Sequence, residues 1–447
     1  MKNKTLFRCE KCGADFPKWA GRCTACGGWN CLTETAAENS SGKSAAAGRV
    51  LNLQKISETK FSNEKRVSSG FAEFDRVLGG GFFANSISLL AGSPGVGKST
   101  LALQAAIKIA AQKKVLIFSA EESLNQIANR ASRISPKNLP ENLRIANDFS
   151  VENILATAAD FRPDFLIVDS VQTFASGEIP SAAGSLPQIR AVCEKLLYFA
   201  KTKNCPVILI GHITKSGDFA GPQFLAHLVD AVFYFETEAA HGLRFLRSEK
   251  NRFGPAGEIG IFQMESGGLR EIADPSEIFL ADRLPDAIGS CVFPAVEGGR
   301  VFLVELQTLT ATTRFGLPKR TASGIPLSRL QILLAVLQNH GKINFENRDA
   351  FANAVGGLKI AQPAADLPLI LSLISSAKKK PLGEKTFAFG EVGLAGEIRA
   401  VIEFEKRIFQ AEKLGFEKCF CPPMKKFSKS KIKFIPVRTV GELLGKI

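Results

Sequence analysis

The chain has 447 residues, 45% of them hydrophobic, and a formal net charge of +14 from 57 Lys and Arg against 43 Asp and Glu. That length allows about two to four domains with sizeable cores, and the absence of any run of about 18 apolar residues argues against a membrane-spanning helix. The basic balance favours a polyanionic partner such as nucleic acid, and part of it is concentrated late, with 16 Lys/Arg against 8 Asp/Glu from Lys378 onward.

The first residues, Met1-Lys-Asn-Lys-Thr, lack the apolar segment of a secretory signal. Five of the ten cysteines fall within the first 31 residues. Cys9-x2-Cys12 and Cys23-x2-Cys26 form two knuckles, each trailed by a glycine, Gly13 and Gly27. Such a pair supplies four thiolates to one tetrahedral Zn²⁺, and a segment this short relies on the metal for its folding energy. The competing reading is a redox CxxC pair. Cys31 reads as a spare thiol, and Cys193, Cys205 and Cys291 as small buried hydrophobes. Zinc beside unpaired thiols points to a reducing, cytoplasmic setting.

Residues 36–60, small and polar over much of their length, read as a linker between a zinc finger at 1–35 and an α/β domain at 61–270. In that domain apolar runs at 87–91, 115–119, 165–169, 206–210 and 231–235 alternate with helix-like stretches. The alternation predicts a mostly parallel sheet covered by helices, with ligands at the carboxyl ends of the strands. A last domain, 271–447, carries strand-like runs at 288–296, 301–306 and 386–392, and helix-like runs at 327–339, 363–377 and 403–414. The fold class expected is therefore α/β multidomain.

The run at 87–91 leads into Gly92, Ser93, Pro94, Gly95, Val96, Gly97, Lys98, Ser99 and Thr100, a G-x4-G-K-[ST] phosphate loop. Strand, glycine-rich loop and helix is the context this motif needs. Its backbone N–H groups and helix N-terminus suit a nucleoside triphosphate, with Lys98 reaching the β/γ-phosphates and Ser99 holding Mg²⁺. The run at 165–169 ends in Asp169, placed to hold Mg²⁺ opposite Ser99. The strand at 115–119 leads into Glu121 and Glu122; Glu121 is the first choice of general base and Glu122 the second, although acidic residues also collect at helix starts for dipole reasons. His212, just beyond the run at 206–210, fits a γ-phosphate sensor, the alternative being a structural histidine. Loops at 174–188 and 214–224, the second with Lys215, suit gripping a strand of nucleic acid or are ordinary surface loops.

Phe74-Asp75 with the glycines Gly79, Gly80 and Gly81, the phosphate loop, Glu121-Glu122 and Asp169-Ser170 together resemble the RecA-like ATPase core. Lys250, Asn251, Arg252, Phe253 and Gly254 spell KNRFG, the signature of the bacterial RadA (Sms) family of DNA-repair ATPases, which the chain resembles over nearly its whole length. The resemblance implies ATP as the nucleotide, a four-cysteine zinc ribbon, a RecA-like motor and a third, α+β domain similar to the processing part of Lon protease. It further implies a homohexamer acting on single-stranded and branched DNA, with helicase and branch-migration activity alongside the recombinase RecA. Lys250 and Arg252 would couple ATP to DNA, reaching a neighbouring subunit's γ-phosphate. In the Lon-like domain Ala364, in Gln362-Pro363-Ala364-Ala365-Asp366, stands where active Lon proteases carry the nucleophilic serine, and Glu405 aligns with the dyad lysine, Lys406 being adjacent. No peptidase activity is expected, since a methyl group cannot attack a peptide bond. The alternatives are an ATP-binding recombination mediator without motor activity, an ATP-dependent protease, and a clock-type or signalling RecA-like ATPase.

Overall fold

The computed structural model describes residues 5–9, 15–16, 18–24, 26–36, 55, 66–137, 139–212, 223–238, 242–314, 316–423 and 430–447. The chain divides into two compact units, Met1–Ser62 and Asn63–Ile447. Cys12, most of the 36–60 segment and Lys215 lie outside the described residues.

In the first unit the strand Thr5–Cys9 lies between Asp15–Phe16 and Leu32–Ala36, antiparallel to both. Its core is small: Cys9, Cys23, Cys31 and Leu32 are buried, with Phe7 and Phe16 packed against them. So little apolar burial leaves stability dependent on the sulfur cluster.

The second unit is built on two sheets. Nine strands run in the order Gly268–Glu271, Ile259–Glu265, Leu243–Asn251, Ala231–Glu238, Ile87–Gly92, Val207–His212, Phe165–Asp169, Val115–Ser119 and Leu143–Asn147. The last six are mutually parallel, and the five expected runs are among them. Their near-continuous apolar character follows from burial on both faces. Leu90, Ile117, Ile167 and Ile208 pack with the helix Lys98–Ala110 on one side. Leu89, Leu116, Leu166 and Leu209 pack with Val151–Phe161 and Leu186–Lys203 on the other. Leu143–Asn147 is the sixth parallel strand; as a partly exposed edge it has no apolar run to announce it. The other three strands extend the sheet antiparallel beyond Ala231–Glu238.

The second sheet has seven strands, ordered Arg320–Ser323, Arg348–Ala354, Arg300–Thr312, Ser290–Glu297, Thr386–Ala388, Lys418–Cys421 and Lys433–Pro436. The helices Leu327–Gly341, Asp366–Lys378 and Phe404–Lys413 accompany it. The segment expected as one strand at 386–392 is two: Thr386–Ala388 joins the main sheet, and Glu391–Val392 pairs with Ile398–Arg399 in a separate ribbon. Arg247 bridges the sheets by an ion pair to Glu297 at 3.2 Å, and Arg300 of the second sheet pairs with Glu73 of the helix Ala72–Leu78 at 2.6 Å. Among the described residues no helix is long and apolar enough to cross a membrane.

Candidate nucleotide site and metal centre

The phosphate loop leaves the central strand Ile87–Gly92 and enters the helix at Lys98. Gly95 and Gly97 hold φ of +78° and +108°, the left-handed region where a side chain is strained, and a Cβ on Gly97 would come within 2.7 Å of Met264 Cε. Glycine here therefore answers both backbone conformation and close packing. Lys98 is buried, its Nζ donating to the carbonyls of Gly92 at 2.8 Å and Ser93 at 3.1 Å. Burial pulls its pKa down, while Asp169 and Glu121 hold it up.

Three neighbouring strands deliver the rest, since Asp169 pairs with Ser119 on one side and Ile210 on the other. Asp169 is buried, Ser99 hydrogen-bonds its carboxylate, and Oδ1 has no partner among the described residues. Burial raises its pKa to about 6, against the Ser99 bond and with help from Glu121 and Glu122. Glu121 accepts from His212 Nε2 at 3.1 Å to each oxygen, and from the Ser170 hydroxyl. The His212 bond is the main reason its pKa lies below the usual carboxylate value; burial opposes it. His212 Nδ1 stands 3.3 Å from Lys98 Nζ. An ammonium only donates, so Nδ1 accepts and the ring proton sits on Nε2, aimed at Glu121. Lys98, Ser99, Asp169, Glu121 and His212 thus converge at the carboxyl ends of the parallel strands.

Glu122 is engaged elsewhere, ion-paired with Arg130 of the helix Leu124–Ile134, while its N–H donates to Ser119 Oγ at 3.2 Å. Of the two acidic candidates, Glu121 is the one joined to His212. Sequence reading gave Ser170 no role of its own and missed Gln172. Ser170 directly follows the Asp169 carboxylate, which was its available signal; Gln172 Nε2 donates to the His212 carbonyl at 3.3 Å. Within the 174–188 loop the backbone is held by one side chain. Buried Gln188 donates to the carbonyls of Ser176, Ile179 and Ser181 at 3.1, 2.7 and 3.0 Å, and accepts from Ser176 N–H at 2.8 Å.

The 250–254 stretch lies at the other end of the sheet. Lys250 is opposite Val232, which is level with Leu89, whereas Gly92 is level with Phe235. That is about 10 Å back along the strands from the phosphate loop. Lys250 Nζ donates to the carbonyls of Ala226 at 2.6 Å and Val229 at 2.8 Å, at the end of the helix Gln223–Leu228. Burial lowers its pKa, with Arg252 adding to the effect. Arg252 pairs with buried Asp230 at 3.1 Å, whose other oxygen accepts from Ile87 N–H at 3.2 Å. Asn251 Nδ2 donates to the carbonyls of Val77 and Leu78 at 3.3 and 3.2 Å, and Phe253 stacks on Phe83 with centroids 4.2 Å apart. Gly254 and Gly79 approach so closely that a Cβ on either would lie 2.9 Å from the other's Cα. The first glycine of the triple and the last of KNRFG are therefore two halves of one contact.

In the finger, the sulfurs of Cys9, Cys26 and Cys31 lie within 4.8 Å of one another, with Cys9 to Cys26 at 3.7 Å and Cys9 to Cys31 at 3.4 Å. Cys23 is buried beside them. Clustered thiols of this kind fit a zinc ion. Cys31, read as spare, stands inside the cluster, where its bond to Cys9, then burial and the neighbouring thiols, push its pKa up to about 11.

Residues 55–218 match the family model of an AAA domain, and residues 7–34 that of a rubredoxin metal-binding domain. The DNA repair protein RadA of Pseudomonas aeruginosa is 42% identical over 425 residues, 94% of this chain and 93% of that protein. Its namesake from Bacillus subtilis is 40% identical over 452 residues, covering 99% and 98%. Among solved structures, the RadB recombinase aligns with 46% of this chain and 99% of its own at 22% identity and a TM-score of 0.39. With identity at this level along almost the full length of both chains, the protein belongs to the DNA repair protein RadA family.

Proposed function

We propose that the chain is a DNA-dependent ATP hydrolase of recombinational repair. The observation that carries this is the convergence of Lys98, Ser99, Asp169, Glu121 and His212 on one sheet edge. Lys98 leaves the carbonyls of its own loop to meet the β/γ-phosphates, and Glu121 takes the proton of the attacking water. His212 bridges these two residues, so gain or loss of the γ-phosphate at Lys98 is felt at Glu121. The unpartnered Oδ1 of Asp169 beside Ser99 fits a divalent cation, and these two residues would hold Mg²⁺. When bound, it neutralises charge on the β- and γ-phosphates.

Lys250 and Arg252 lie too far down the sheet to serve their own nucleotide. They act on a neighbouring subunit's γ-phosphate in a homohexameric ring, where a cation in trans stabilises the transferring phosphoryl group. The domain from 271 on is a Lon-like fold without peptidase activity: Ala364 lies buried at the entry to the helix Asp366–Lys378, and its carbonyl accepts from Gly390 N–H at 2.9 Å. Its basic side offers a DNA track. Lys418 has a pKa lowered by burial and then by repulsion from Lys433 and Lys380, a crowding of ammonium groups that a phosphate backbone would relieve. The protein works in the cytoplasm on single-stranded and branched DNA, as a helicase promoting branch migration with RecA.

Steady-state ATP hydrolysis with and without single-stranded DNA tests this. DNA should stimulate the rate, and Lys98→Ala and Lys250→Ala should abolish the stimulation. An unchanged rate would separate nucleotide from DNA and favour the mediator in which ATP binding only sets conformation.

A further inference from the structure

Trp19 and Trp29 are the only tryptophans of the chain. Both lie in the finger and both stand in solvent, 56% and 70% exposed. A unit with so small a core would ordinarily bury its two largest apolar side chains, since each indole carries about 150–250 Å² of surface. Leaving both outside points to a partner that covers them.

The surroundings select the partner. Arg22 and Trp29 form an isolated antiparallel bridge, and the Arg22 guanidinium carbon lies 5.6 Å from the indole centroid. Arg22 Nε is tied to the Gly27 carbonyl at 3.1 Å, which fixes the guanidinium beside the ring. The Trp19 ring approaches Gly21, the neighbour of Arg22, and Lys18 precedes Trp19 in the open. From residue 18 to 30 the charged side chains are Lys18 and Arg22, with no carboxylate. The flanking Ala20, Gly21, Gly27 and Gly28 are too small to wall in either ring. Flat open indoles whose charged sequence neighbours are Lys18 and Arg22 match a chain of stacked bases and phosphates better than a protein surface, which would need a shaped pocket and mixed charge.

We propose that the finger is a stacking platform for single-stranded DNA, in which bases lie on Trp19 and Trp29 while Lys18 and Arg22 meet the phosphates. This rests on the reading that the chain acts on DNA. Base–indole stacking is sequence-tolerant, and losing one such contact weakens binding by about tenfold to a hundredfold.

Intrinsic fluorescence reads this directly, because all tryptophan emission of the full chain comes from the finger. A thymidine oligonucleotide added to the full-length zinc-loaded protein should quench that emission to saturation, and added salt should reverse the effect. Trp19→Ala with Trp29→Ala should weaken binding of a labelled oligonucleotide, read by anisotropy, at least tenfold. The zinc content and the ATPase rate without DNA should stay at wild-type levels, and Trp29→Tyr should restore most of the affinity. If the oligonucleotide binds by anisotropy but emission does not change, the finger is not the platform and its indoles serve a protein partner. If the oligonucleotide fails to bind at all, both this proposal and the DNA-dependent reading fall. Should the double variant lose its zinc, quenching in the unmodified protein decides the matter.

Discussion

Asp169 pays for its position between two strands, because its ionised carboxylate is buried with one oxygen unmatched. Its folded pKa of about 6 lies above the ordinary 3.8, so the folded state binds the extra proton between these values. Stability is therefore greatest below about pH 4 for this group and falls as pH rises towards 6, by about 3 kcal/mol for a shift of roughly two units. Asp169→Asn should raise the melting temperature of the nucleotide-free protein at pH 8 and lose that advantage near pH 4, in calorimetric scans at both. Glu121 has the opposite sign. Its lowered pKa contributes stability present above the usual carboxylate range and lost as pH falls through the folded value. Glu121→Gln should bind ATP yet hydrolyse it about 100- to 10,000-fold more slowly in single-turnover measurement. Ser170 acts through Glu121 and is a positioning residue. Ser170→Ala removes a donor to the ionised carboxylate, so the acidic limb of the rate profile should move to higher pH.

At the scale of elements, the helix Gln223–Leu228 follows the strand that carries His212, and Lys250 caps its last carbonyls. One end of this connection meets the nucleotide site and the other the KNRFG stretch. Gly254→Ala should lower the melting temperature, by about 1–3 kcal/mol of stability, because the new methyl meets Gly79 backbone. The parallel strands were legible because burial on both faces writes an unbroken apolar run. Leu143–Asn147 was not, since an edge strand with half-exposed side chains carries no such run. The phosphate loop and the Asp169 carboxylate were legible as motifs at strand ends. The place of Lys250 was not, because register, which no local pattern states, decides which end of a strand a motif occupies. The nearness of Cys31 to Cys9 was not legible for a related reason: knuckle spacing says nothing of a thiol brought back by strand pairing.

Over the whole molecule, the finger and the 63–447 unit are separate compact bodies, and the nucleotide residues all belong to the second. Cys12→Ser or chelation should release zinc and expose 1–35 to protease while ATP binding stays within about twofold, checked by metal analysis and nucleotide titration together. The distance between the phosphate loop and the KNRFG stretch has another consequence. A subunit defective at Lys98 still owns an intact Lys250, and one defective at Lys250 still owns an intact phosphate loop. If Lys250 acts on a neighbouring subunit as proposed, Lys98→Ala and Lys250→Ala proteins, each without DNA-stimulated hydrolysis alone, should recover part of it when unfolded and reassembled together. The recovered fraction would follow the statistics of which neighbour each copy happens to meet.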